Sequence, residues 1–114
     1  VLISAILLFA ITAVGGLILA SKVLGGKFAS WTISLLHASA GAAGLILLII
    51  EAIHGTGGSR VTASLALLIM AALGGFYLAS YHIREKIAPK GFVIIHASLA
   101  VIGFLILLTV LLGI

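Results

Sequence analysis

Apolar residues fill four long stretches of the chain, and polar residues collect in the short gaps between them. The stretches run from about Leu2 to Ser21, Ser30 to Ile53, Val61 to His82, and Pro89 to the C-terminus. Each approaches or reaches the ~20 residues needed to cross ~30 Å of hydrocarbon. Backbone polar groups in lipid need partners within their own segment, so all four are predicted to be helices. Ser30 is expected to cap the second, with Trp31 at the membrane interface, and Pro89 suits the first helical position of the fourth. An even number of spans places both termini on one side.

A single offset of 59 positions superposes much of the first half on the second without a gap. Gly15 and Gly16 fall on Gly74 and Gly75, Lys27 on Lys86, His37-Ala38-Ser39 on His96-Ala97-Ser98, and Gly44 on Gly103. Bias toward Ala, Gly and Leu explains isolated matches, but not a histidine, a lysine and a Gly-Gly pair in one register. The expected fold is all-α: one polytopic membrane four-helix up-down bundle over residues 1–114. It comprises two tandem repeats, about 1–55 and 60–114. Two spans per repeat give the copies one orientation, so they are parallel repeats about an axis along the membrane normal.

Composition agrees with a membrane location. Hydrophobic residues make up 64% of the chain and charged residues 7%, too few to cover a soluble domain of this size. The formal charge of +4 resides in short loops and reads as topology, not nucleic-acid binding. Lys22, Lys27, Arg84, Lys86 and Lys90 follow spans one and three, against Arg60 alone on the other side. That bias makes the basic loops cytoplasmic and puts both termini outside. The absence of cysteine removes disulfides, thiolate ligands and Cys-held iron–sulfur clusters. Opening on Val1 in place of Met points to a trimmed or an incomplete end. The first stretch lacks a basic flank and a cleavage site, so it is read as a span and not a signal peptide.

The repeated histidines carry the candidate chemistry. His37 and His96 each lie seven residues past Ser30 and Pro89 respectively, ~10 Å inside the basic face at 1.5 Å per residue. Spans two and four are diagonal in an up-down bundle, with axes on the order of 14 Å apart. Two inward imidazoles would leave room there for a flat group with a metal at its centre. Gly15 and Gly74 sit near the same depth on the other diagonal, where a missing side chain lets a large ring approach the backbone. Gly41 and Gly44 share the face of His37, as Ala100 and Gly103 share that of His96. Lys27 and Lys86 stand nearby to pair with propionates. Symmetric ligands, small residues and cations together point to one haem b, with metal ligands His37 and His96. Two imidazoles fill both open positions on haem iron, which suits electron transfer over oxygen binding. Ser39, Ser98 or a carbonyl one turn earlier is expected to orient the rings.

The arrangement resembles the haem-bearing cores of membrane b-type cytochromes: cytochrome b, the diheme ascorbate-reducible cytochromes and the anchors of succinate dehydrogenase. The resemblance rests on architecture and on His37, His96, Gly15 and Gly74. Diheme members carry a second histidine thirteen or fourteen residues along each ligand helix. Here those positions are Ile50 and Glu51, and Thr109 and Val110, so a second haem site is absent. The resemblance implies an electron-transfer subunit of an oxidoreductase complex, not an enzyme alone. It would exchange electrons with quinone or another redox subunit.

Two other readings compete with this one. In a chlorophyll-type pigment-binding subunit each histidine would hold one magnesium, which outward-facing rings would favour. In a cofactor-free structural or assembly subunit, small residues such as Gly16 with Ala20 and Gly75 with Ala79 would simply pack helices. His54 and His82 have no repeat partner, lie at opposite faces and read as interfacial residues. His82, with Tyr81 and Arg84, is a candidate for a quinone or haem-propionate site. Glu51 is expected to reach interfacial water or Arg60.

Overall fold

The computed structural model describes residues 1–55 and 57–114, and it is all-α. Its helices are α1 (Leu2–Leu24), α2 (Trp31–His54), α3 (Gly58–Ile83) and α4 (Lys90–Leu112). All four are long and apolar enough to cross a membrane, and the molecule measures 42 × 22 × 19 Å. Large apolar side chains such as Leu17, Phe76 and Leu105 stand exposed on its outside, as lipid-facing residues do.

Side-chain contacts fix the order of the bundle. Along α1 and α2, Gly16 meets His37, Thr12 meets Gly41 and Phe9 meets Gly44, so these helices run antiparallel. Along α3 and α4, Gly75 meets His96 and Leu68 meets Gly103 in the same sense. Helix α1 also packs on α4 and α2 on α3, while α1 and α3, and α2 and α4, face each other across the diagonals.

The helix ends explain where the loops turn. Ser30 caps α2 as expected, its side chain accepting from the Ile33 N–H at 3.5 Å. Pro89 lies one residue outside α4. Its extended ψ of 130° makes it the cap, and its carbonyl accepts from the Val93 N–H at 3.2 Å. Helices α1 and α3 close with one motif. The Gly26 N–H donates to Val23 and the Lys27 N–H to Lys22, at 2.9 Å each. Glu85 and Lys86 bond His82 and Tyr81 in the same pattern, at 3.0 and 2.8 Å. This Schellman closure needs a left-handed residue. Gly26 supplies it at φ 75°, and Glu85 adopts it at φ 56° despite its side chain. Lys27 and Lys86 are thereby placed alike, at the same end of the bundle.

Packing divides the bundle along its length. Ala5, Ile6, Phe9, Leu48, Val61, Leu68 and Leu107 form a buried core in the half near the termini. Gly44 and Gly103 let that core close, since an added Cβ would stand 2.9 Å from Phe9 Cε1 or 3.0 Å from Leu68 Cγ. Ser64, fully buried in α3, donates to the Gly103 carbonyl at 2.7 Å. Its counterpart at the 59-position offset is Ala5, also fully buried. Ser64→Ala therefore removes a hydrogen bond without demanding a new shape, and it is expected to cost about 1 kcal/mol. Reversible unfolding in mixed micelles measures this; wild-type stability in the variant would mean that the bond contributes nothing.

Candidate functional site

Toward the basic loops the core gives way to a partly open cavity of about 560 Å³ lined by residues of all four helices. Pockets of 300–1,000 Å³ are the usual size for small-molecule cofactors. Phe9, Leu68 and Phe104 are among its lining residues, and so are His37 and His96. The two imidazoles, carried on diagonal helices, have ring centroids 6.2 Å apart and planes at 77°.

Each ring is held by the neighbouring helix of its own hairpin. His37 Nδ1 lies 2.8 Å from the Thr12 carbonyl oxygen, and His96 Nδ1 lies 2.7 Å from that of Ala71. Both bonds join residues 25 apart, and they recur at the 59-position offset. A carbonyl can only accept, so the proton is on Nδ1 and Nε2 carries the free lone pair. Neither Nε2 has a hydrogen-bond partner among the described residues.

The Gly-Gly pairs explain why these carbonyls are available. In an α-helix the carbonyl of residue i points toward residues i+3 and i+4, whose side chains flank its second lone pair. For Thr12 those residues are Gly15 and Gly16; for Ala71 they are Gly74 and Gly75. A Cβ at Gly15 would stand 3.4 Å from His37 Cβ, and one at Gly16 only 2.9 Å from His37 Cε1. Gly74 and Gly75 relate to His96 in the same way, at 3.8 and 3.2 Å. Gly15 and Gly74 thus receive the histidine stems, while Gly16 and Gly75 face the rings and line the cavity. Ser39 and Ser98 are exposed. The expected orienting role belongs instead to backbone carbonyls across the helix interface, which the imidazoles reach because they point inward.

The remaining expected residues separate into two groups. Gly41, Ala100, Lys27 and Lys86 line the cavity. Gly44 and Gly103 lie below it, against Phe9 and Leu68. Thr12, Ala71, Gly16 and Gly75 complete the histidine environment. Only the two glycines left a mark in the sequence, as the repeated Gly-Gly pair. His82 also lines the cavity. It packs on Phe28 and Trp31 and lies 3.3 Å from Ser34 Oγ, residues across the α2–α3 seam that no local pattern links to it. At the opposite end of the bundle, Arg60 donates to Thr109 Oγ1 and to the Ile114 carbonyl.

The donor set constrains what the pair can hold. Among the described residues no third His, Cys, Asp or Glu joins His37 and His96 in a metal-binding group. A bare ion of the zinc kind needs about four protein or water ligands. A tetrapyrrole brings its own four nitrogens and asks the protein only for axial donors. Metal–imidazole bonds of about 2 Å on each side put two ring centroids about 6 Å apart, and the observed separation is 6.2 Å. No family model, no curated protein and no solved structure matches the chain.

Proposed function

We propose that the chain is a single-haem b-type cytochrome subunit of a membrane electron-transfer system, with His37 and His96 as axial ligands. The observation that carries this reading is the pair of imidazoles on diagonal helices. Each is fixed through Nδ1 with Nε2 left free, and their centroids are 6.2 Å apart in an apolar cavity. Bound haem would supply a one-electron iron couple. The protein contributes two neutral imidazoles whose Nδ1–H bonds to carbonyls raise their basicity toward the metal. With both axial positions taken, no site remains for a substrate on iron.

The shared register of the two histidine–carbonyl bonds supports an origin by tandem duplication, with the copies as parallel repeats. The loops bearing Lys22, Lys27, Arg84, Lys86 and Lys90 are read as cytoplasmic, with the termini outside. With one haem near one face, electrons are exchanged on that side, with quinone or with a partner redox subunit. A chlorophyll-type pigment takes one axial ligand, and rings this close favour one shared metal over two. The structural alternative draws on the same hydrogen bonds, because His37 and His96 each tie a hairpin together. It gives no reason for both rings to line a cavity.

The deciding experiment is a dithionite-reduced minus oxidised visible spectrum of the purified, haem-replete protein. A sharp α-band with a shifted Soret peak is expected. Magnesium-porphyrin absorption would move the chain to pigment binding, and a colourless protein would leave the structural subunit as the account.

A further inference from the structure

The mouth of the cavity does not share the pairing seen at the histidines below it. His82 lines the cavity at the α2–α3 seam, its ring centroid 3.9 Å from that of Trp31 and 4.5 Å from that of Phe28. Its Nδ1 faces Ser34 Oγ at 3.3 Å, and its Nε2 is buried with no partner among the described residues. At the 59-position offset, His82, Ser34 and Phe28 correspond to Val23, Val93 and Ile87. Trp31 corresponds to Lys90, and at the other three positions the equivalent seam carries aliphatic side chains, so packing alone does not call for an imidazole. Burying a ring nitrogen without a partner is unfavourable, so the position favours an occupant that supplies one.

The surroundings identify the chemistry of that partner. Ser34 is one turn nearer the basic end than His37, which sets His82 about 4–5 Å above the level of the paired histidines. An acceptor at Nε2 requires the His82 proton there, which leaves Nδ1 to accept from the Ser34 hydroxyl, the opposite tautomer to His37 and His96. Lys27 and Lys86 line the same cavity, and among the described residues no acidic side chain does. Two cations and a ring N–H meet at one end of an otherwise apolar chamber. Charge-assisted bonds to carboxylate oxygens satisfy such a set.

We infer that His82, together with Lys27 and Lys86, holds the carboxylates of the ring bound between His37 and His96. His82 is thus the residue that makes the mouth asymmetric and orients the acid edge of the ring toward the basic face. This rests on the haem reading above.

The test is a Soret titration of the full chain in detergent with protohaem and with its dimethyl ester, whose carboxyl groups carry no charge. The wild-type protein is expected to bind the acid about tenfold more tightly or better. His82→Phe, which keeps a ring between Phe28 and Trp31, should lower that preference several-fold. His82→Val, which copies the aliphatic side chain of the opposite seam, should do the same, while His82→Gln, which retains an N–H donor, should restore much of it. The α-band should persist in all of them. Equal affinity for acid and ester, or an unchanged preference in His82→Phe and His82→Val, would overturn the role of His82 and leave axial ligation standing. Failure of the wild-type protein to bind either form would overturn axial ligation itself.

Discussion

Replacing His96 with alanine is expected to abolish the low-spin α-band completely, and replacing His37 is expected to do the same. In the proposed haem site each imidazole would be one of only two protein donors to the metal, and no other His, Cys, Asp or Glu among the described residues joins the pair. Loss of either leaves the iron five-coordinate at best. The two variants should be equally impaired, because both histidines have the same tether, at 2.8 and 2.7 Å, in the same register. Added imidazole should restore the six-coordinate spectrum in either variant, since the deleted side chain leaves a space of its own shape beside Gly16 or Gly75. Far-UV circular dichroism checks that the helices persist. A sharp α-band surviving in one variant would mean that the axial ligand on that side is another residue.

Gly16→Leu is expected to be strongly destabilising. A Cβ alone would lie 2.9 Å from His37 Cε1 and 3.4 Å from its Nδ1, and a branched side chain must displace the ring. The displacement removes the bond to Thr12 and leaves both partners without their best geometry. Overpacking of this kind costs about 1–3 kcal/mol before the hydrogen bond is counted. Gly75→Leu should follow the same course. Gly75→Ala should be milder than Gly16→Ala, because its contact with His96 Cε1 opens to 3.2 Å. Unfolding in mixed micelles gives the stabilities, and a Gly16→Leu protein as stable as the wild type would place His37 elsewhere. In haem-loaded protein the same variants should weaken binding, although no glycine touches the metal.

The four helices and the matched histidines were legible because each has a one-dimensional signal: a run of apolar residues, or one offset shared by rare residue types. The partners of the histidines were not. A backbone carbonyl has no letter of its own: the sequence pointed to Ser39 and Ser98, which are exposed, or to a carbonyl one turn earlier on the same helix, and the acceptors lie on the neighbouring helix. The legible trace was the absence of side chains at Gly15, Gly16, Gly74 and Gly75, whose meaning depended on knowing that Thr12 and Ala71 lie one turn earlier. His82 stood out in the sequence beside Tyr81 and Arg84, but its actual partners were hidden for another reason. Its contacts with Phe28, Trp31 and Ser34 span the α2–α3 seam, and helix rotation about that seam is set by packing. Glu85 shows a third limit, since its left-handed backbone is imposed by the same closure that Gly26 makes and not by any preference of glutamate.

Each histidine tether is also complete within one half of the bundle. Both bonds are internal to a hairpin: α1 holds the imidazole of α2, and α3 holds that of α4. A ribosome feeding this chain into a membrane delivers α1 and α2 ahead of α3 and α4, so the first hairpin can set His37 before the second has docked. The second hairpin then arrives with His96 set in the same manner. The space between the two rings arises only when the halves close on each other, and a haem of the proposed kind would have an open side to enter until they dock.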